Sequence, residues 1–397
     1  MFYNKKESIR HSMIGVKDMK KIGIIGGGQL GKMMILEAKK MDYMVVILDP
    51  TKHCPAHSIA DEHIVASFDD EEAMLSLAQK VDVVTYEFEH ISIQALQAIE
   101  RNNTPVYPSS ETLLHIQNKY DQKQWLTKHG LAVPKFVAVS TQEEIKQAAQ
   151  QYGYPIVLKA CTGGYDGKGN AVIHTEEQIQ TAFASLGSGN IPLMVEQFIP
   201  FLKEVSVLVC QNVQGQVEVF PIAENIHKNS ILDETLVPAD ITEEVRKKAC
   251  LIAQKASNVF HAIGMLCIEL FVTKEGDVFV NELAPRPHNS GHYTIEGCYT
   301  SQYENHIRAI LGLPLGNTEL IRPTVMKNII GNQDGRANVK GLEEAYKNPN
   351  VQVHIYGKET VKVGRKMGHI TATGITLQQA RQEVQNAHQH IRFTEEN

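Results

Sequence analysis

Glu269 and Glu282 stand on either side of a short turn sequence and have the types and spacing to hold a cation. Residues 265–272 and 278–284 are β-rich runs separated by Lys274-Glu275-Gly276-Asp277, a hairpin signal. A turn centred on Glu275-Gly276 sets Glu269 directly opposite Glu282. Alternation then puts both on one face, beside Cys267, Phe271, Val280 and Ala284. Two carboxylates at roughly 4 Å and an effective dielectric of about 20 repel by about 4 kcal/mol. A bridging cation or a proton on one of them removes that cost. Two solvated glutamates on an exposed hairpin are the alternative, and the apolar company on that face argues against it. Asn281, next to Glu282, faces the other way unless the strand bulges.

Other stretches carry groups that act on phosphates. Cys161-Thr162-Gly163-Gly164-Tyr165-Asp166-Gly167-Lys168-Gly169-Asn170 joins two strands and offers closely spaced backbone N–H donors with a lysine. It is not a Walker A loop, because no Gly-Lys-Ser/Thr opens a helix. Lys159 ends the strand before it. After Glu282 comes Ala284-Pro285-Arg286-Pro287-His288-Asn289-Ser290-Gly291-His292, a rigid polar segment. Lys358, Arg365 and Lys366 form a second basic cluster fit for a phosphate, though such a run is often a solvated face. Paired carboxylates with phosphate-binding loops suggest Mg²⁺ held by oxygen ligands, and so ATP-dependent chemistry.

The elements that must position these groups follow from periodicity. Strand, Gly26-Gly27-Gly28-Gln29-Leu30-Gly31, helix and a second strand ending at Asp49 make a βαβ unit. Gly26, Gly28 and Gly31 fit G-x-G-x-x-G, with Asp49 where a ribose-binding acid sits. A dinucleotide site is one reading. Close packing, or another phosphate or carboxylate at the helix N-terminus, is the other. Alternation continues through residues 62–108, with Glu87, Glu89 and His90 at a strand C-terminus, where open α/β sheets bind ligands. Residues 112–128 read as one helix, and residues 243–263 as a long helix that delivers the hairpin. The expected divisions are a disordered extension or early translation start over 1–19, a Rossmann-like parallel-sheet domain over 20–118, a small lid domain over 119–203 and a mixed C-terminal part over 204–397. The class is α/β, α+β overall.

Composition excludes several functions. The 397 residues are 43% hydrophobic and 21% charged, with a net charge of -6. Nothing favours nucleic acid, and no apolar run approaches a membrane span. Six scattered cysteines without CxxC read as reduced thiols of a cytoplasmic protein.

The strings GGGQLG, YEFE, GGYDGKG, NELAPRPHNSGH and YGK…RKMGH resemble the 5-(carboxyamino)imidazole ribonucleotide synthase family of the ATP-grasp superfamily, over about residues 20–375. The resemblance implies bicarbonate-dependent carboxylation of 5-aminoimidazole ribonucleotide through carboxyphosphate, with ATP and Mg²⁺, in purine biosynthesis. It implies small-molecule partners and a homodimer. Lys119, Lys159 and the lid residues Gly164, Tyr165, Asp166, Gly167, Lys168, Gly169 and Asn170 would contact ATP. Glu196, Gln197, Phe198 and Ile199 would hold adenine, and Glu204 the ribose. His227, Asn281 and Glu282 would lie near the phosphates, and Glu269 with Glu282 would carry the metal. Asp166, Lys168, Arg286 and His288 would be catalytic. Gly28, Gln29, Leu30, Glu87, Asn289, Ser290, Lys358, Arg365 and Lys366 would join Arg286 and His288 in binding the ribonucleotide. Two departures stand out: Lys159-Ala160-Cys161 where the family often has Lys-Thr-Arg, and Asn118-Lys119 where it has Asp-Arg. Rival readings are a formate-dependent ATP-grasp transformylase and a nicotinamide-dependent oxidoreductase. A non-catalytic nucleotide-binding regulator is a further alternative.

Overall fold

Apolar runs KIGII and MVVIL build the first sheet of the computed structural model, which describes residues 20–164 and 169–394. The expectations for residues 1–19 and for Tyr165, Asp166, Gly167 and Lys168 lie outside those residues. Strands β1 (Lys21–Ile25), β2 (Met44–Leu48), β3 (Glu62–Ile64) and β4 (Val83–Tyr86) are all parallel, in the order β3-β2-β1-β4. Helices α1 (Gln29–Lys40), α2 (Glu71–Lys80) and α3 (Ile93–Arg101) alternate with them. Asp70 and Ser92 cap the second and third helices by accepting from the backbone N–H of Ala73 and Ala95. The strand expected near residues 105–108 is reduced to one bridge, Val84 to Val106. Two prolines in four residues remove the donors a longer ladder needs.

The single helix expected over 112–128 is two, α4 (Ser110–Gln117) and α5 (Lys119–Lys128). Asn118 breaks the run: its backbone is extended and its Oδ1 accepts from Tyr120 N at 2.9 Å. The Lys119 N–H donates instead to the Cys161 carbonyl at 2.8 Å. This break starts α5 as a separate helix, which packs against both the second sheet and the hairpin.

The second sheet is antiparallel, in the order β5-β8-β6-β7, from β5 (Phe136–Val139), β6 (Ile156–Ala160), β7 (Asn170–Ile173) and β8 (Leu193–Gln197). Helices α6 (Gln142–Tyr152), started by a Thr141–Glu144 capping box, and α7 (Ile179–Ser185) cover it.

The third sheet has nine strands. It holds β9 (Phe201–Gln211), β10 (Val217–Val219), β11 (Ala223–Lys228), β12 (Ile231–Val237), β13 (Gly264–Thr273) and β14 (Val278–Ala284), and continues into the C-terminal strands β15 (Thr324–Ile330), Val351–Ile355 and Lys366–Thr373. Helix α8 (Glu243–Phe260) packs its Val245, Ala249, Ala253 and Phe260 onto β9 and β13. A later helix, Gln302–Leu311, sends Tyr303, Ile307 and Ile310 into the same core as Ile22 of the first sheet and Met34 and Ile35 of α1. Among the described residues, no helix is long and apolar enough to cross a membrane.

Candidate active site

The opposed glutamates are in register: Glu269 pairs with Glu282 across β13 and β14. The route to that register differs from the two-residue turn expected. The loop spans Lys274, Glu275 and Gly276, closed by Thr273 N to Asp277 O at 2.9 Å, with Gly276 at φ 83°. A bulge at Asn281 then restores the offset, because Leu270 pairs with Val280 and Glu269 with Glu282. Val280 consequently lies on the opposite face from that expected, buried with Leu266, Ile268 and Leu270 in the core under α8. The bulge also turns the Asn281 side chain toward the glutamate side, where its Oδ1 accepts from Lys159 Nζ at 3.1 Å.

Four basic side chains gather around this pair and the neighbouring Glu196. Lys119 Nζ sits 2.5 Å from Glu282 Oε2. Lys159 Nζ lies 2.6 Å from Glu196 Oε2, and Lys123 Nζ 2.7 Å from Glu196 Oε1. His288 Nε2 is 3.5 Å from Glu269 Oε1. These contacts split the glutamate pair electrically. Burial and then the Glu282 charge push the Glu269 carboxyl above its usual range. Burial opposes ionisation of Glu282 too, but Lys119, with Lys159, outweighs it and holds Glu282 low. Burial pushes Lys123 down to about 8. At Lys119, attraction to Glu282 overcomes the burial that would lower it, and its pKa rises.

His288 is held from behind. The Ser290 N–H donates to its Nδ1 at 3.3 Å, and Ser290 Oγ lies 2.8 Å from the same atom, with Ser206 Oγ donating to Ser290 Oγ at 2.8 Å. Burial, then Arg286 and Lys366, keeps the imidazole neutral by pushing its pKa well down. With Nδ1 accepting, its proton sits on Nε2, facing Glu269. Arg286 is clamped by Glu89, Nε to Oε1 at 2.8 Å. Glu204 and His227 meet on adjacent strands, β9 and β11, Oε2 to Nδ1 at 2.7 Å. Burial would lower the His227 pKa, but Glu204 raises it above its ordinary value.

The ribonucleotide-side residues are less concentrated. Glu87 is committed to the glycine loop: its carboxylate accepts from Gly28 N at 2.5 Å and Gly31 N at 2.7 Å. A Cβ on Gly26 or Gly28 would run into that carboxylate. Asp49 Oδ2 accepts from Gly27 N at 2.8 Å instead of standing free for a ribose. The turn thus holds a carboxylate from its own chain, the second of the two sequence readings. Asn289 is buried against Asn328, and Ser290 is fully buried beneath His288. Lys358 Nζ donates to the Lys366 carbonyl at 2.7 Å, and Arg365 Nη1 to the Thr360 carbonyl at 3.0 Å. At the hinge after β8, Phe201 N donates to the Ile199 carbonyl at 2.8 Å. Gln197 N is taken by the Lys135 carbonyl at 2.8 Å.

Sequence reading missed three contributors. Lys123 is one turn beyond Lys119 on α5, so its i,i+4 spacing was the available signal. Gln122 accepts from Leu283 N at 3.0 Å and fixes the hairpin to α5. Lys32 of α1 reaches the Tyr356 carbonyl at 3.3 Å, beside the basic loop, and only tertiary structure brings them together.

Known proteins resemble this chain over most of its length. Residues 124–303 match the family model of the ATP-grasp domain. Residues 19–117 match the ribonucleotide synthetase preATP-grasp domain, and residues 324–383 the phosphoribosylaminoimidazole carboxylase C-terminal domain. The fold is that of an ATP-grasp ligase. The N5-carboxyaminoimidazole ribonucleotide synthase of Bacillus subtilis (strain 168) is 45% identical over 354 residues, covering 88% of this chain and 90% of that one. The ADP complex of an N5-carboxyaminoimidazole ribonucleotide synthetase superposes with a TM-score of 0.87 at 44% identity, over 93% of this chain and 96% of that one. The Aspergillus clavatus synthase in complex with ADP and 5-aminoimidazole ribonucleotide gives 0.86 at 35% identity, over 93% and 97%. The chain belongs to the N5-carboxyaminoimidazole ribonucleotide synthase family.

Proposed function

We propose that this protein carboxylates 5-aminoimidazole ribonucleotide with bicarbonate at the expense of ATP, giving N5-carboxyaminoimidazole ribonucleotide, ADP and phosphate. The observation that carries the reading is the convergence of Lys119, Lys159, Asn281 and the Glu269–Glu282 pair on one side of the β13–β14 hairpin. Phosphate groups need cations, and a divalent metal needs oxygen ligands; this face offers both. Among the described residues, no group of three or more His, Cys, Asp or Glu could hold a metal. Two glutamates alone suit Mg²⁺, which keeps open positions for phosphate oxygens and water. When bound, Mg²⁺ supplies charge neutralisation on the transferred phosphoryl group.

The chain's own groups do the rest. Lys159 and Lys119 hold phosphate oxygens, and Lys119 exchanges Glu282 for a phosphate oxygen as nucleotide enters. The hinge Gln197, Phe198 and Ile199 borders the adenine, with the buried Glu196 carboxylate held behind it by Lys123 and Lys159 instead of meeting the base, and Glu204 borders the ribose. Bicarbonate oxygen attacks the γ-phosphorus with ADP leaving, and the exocyclic amine then attacks the carboxyl carbon with phosphate leaving. Arg286, fixed by Glu89, holds the carboxylate being transferred. Neutral His288 directs its Nε2 proton at the same space. Asp166 and Lys168 of the lid complete the site, while Lys358, Arg365 and Lys366 take the ribonucleotide phosphate with Gly28, Gln29 and Leu30 nearby. We assign the parts as residues 20–118, 119–203 and 204–397, acting in the cytoplasm as a homodimer.

Phosphate release from Mg·ATP, with and without aminoimidazole ribonucleotide and bicarbonate, tests the reading. Stimulation by the ribonucleotide is expected. Release that ignores it, or that responds to formate instead, would overturn the assignment. NADH should not bind, since Glu87 already occupies the glycine turn.

A further inference from the structure

We infer that Lys123 is a positioning residue for the nucleotide: it shares the charge of Glu196, so that Lys159 keeps a positive charge to offer the phosphates. The inference rests on the assignment of Lys159 to the ATP phosphates made above. The Lys123 side chain is 1% exposed and cannot touch a ligand. Its ammonium is spent inside the protein, 2.7 Å from Glu196 Oε1, 2.9 Å from the Asn281 carbonyl and 3.4 Å from the Val280 carbonyl. The other Glu196 oxygen faces Lys159 at 2.6 Å. Glu196 itself is buried, so solvent does little to screen the three charges.

Two ammonium groups against one carboxylate leave one net positive charge. Lys123 has its donors committed to backbone and to Glu196. The surplus is therefore expressed at Lys159, the member at the mouth of the lid strands β6 and β7. Without Lys123, Lys159 and Glu196 would close into a neutral pair with little left for a phosphate. Lys123 also grips the Asn281 carbonyl at the bulge, and Asn281 Oδ1 in turn meets Lys159. One buried amine thus sets both the charge and the place of the phosphate-facing lysine. A strut that only packs α5 against the hairpin would set neither.

A charge-balance experiment separates the two. ADP with Mg²⁺ is titrated calorimetrically into the wild type, Lys123→Met and the double variant Lys123→Met/Glu196→Gln, with circular dichroism to check the fold. The single variant should bind ADP at least tenfold more weakly. The double variant, in which Lys159 no longer faces a carboxylate, should regain at least threefold of that. Wild-type affinity in Lys123→Met, or a double variant no tighter than the single, would overturn the inference. Failure of the wild type to bind ADP would instead remove the nucleotide assignment beneath it. If Lys123→Met does not fold, Lys123→Gln, which keeps a donor for the Asn281 carbonyl, takes its place with the same expectation. If neither folds, the double variant must, because it no longer strands a buried carboxylate; its failure too would overturn the inference.

Discussion

Glu269 and Glu282 face each other, yet only Glu282 has a strong cation beside it, and that asymmetry decides what each can do. Glu282 stays ionised through its contact with Lys119. Glu282→Gln should cut ATP turnover by at least about a hundredfold, the scale of losing a positioned electrostatic group. Its melting temperature should stay near that of the wild type; near-normal phosphate release would show that the proposed metal-binding pair is misplaced. His227 gives a pH prediction of definite sign. Its folded-state pKa lies above the unfolded value, so the Glu204 contact stabilises fully below about pH 6.5 and fades as pH rises past the folded pKa. The melting-temperature gap between wild type and His227→Gln should be widest near pH 6 and narrow toward pH 9. A gap that widened with pH would contradict the raised pKa.

At the scale of elements, Asn118 does the most with the least. By ending α4 and capping α5 it aims Lys119, Gln122 and Lys123 at the hairpin. Asn118→Ala should cost about 0.5–2 kcal/mol in urea denaturation, the range for lost caps. It should also weaken ADP binding, because Lys119 follows directly; unchanged affinity would detach the cap from the site. Parallel strands such as β1 were legible because their residues are continuous apolar runs, and antiparallel β14 keeps the bounds 278–284 read from its β-rich run. The α4–α5 break was not, since Asn118 differs from a helix-interior residue only through the backbone it caps. The glutamate pairing was legible for a partly wrong reason. A longer turn and a bulge offset each other, and neither leaves a mark in alternation. Lys123 left no mark beyond its i,i+4 spacing from Lys119, because the partner that explains a buried lysine, Glu196, is 73 residues away along the chain.

Across the whole molecule, the first sheet is not an independent unit. Its α1 shares a core with Tyr303, Ile307, Ile310 and Tyr356, contributed from much later in the chain. Thr85 Oγ1 also meets His306 Nε2 at 2.8 Å across the same boundary. Ile307→Ala should cost about 2–5 kcal/mol, as buried truncations do. Because that core joins both parts, denaturation followed by Trp125 fluorescence and by far-ultraviolet circular dichroism should give coincident midpoints in both proteins. Separate midpoints in the wild type would mean that the parts unfold independently.

The bulge at Asn281 has a consequence for anyone rebuilding this hairpin. A regular ladder closed by a two-residue Asn-Gly turn would still set Glu269 opposite Glu282, and by that criterion the redesign would succeed. It would nevertheless send Asn281 into the core beneath α8, strip Lys159 of a hydrogen-bond partner and move the carbonyl that Lys123 grips. The tidier strand would keep the proposed metal ligands and lose the proposed grip on phosphate, so the irregularity belongs to the specification of the proposed site.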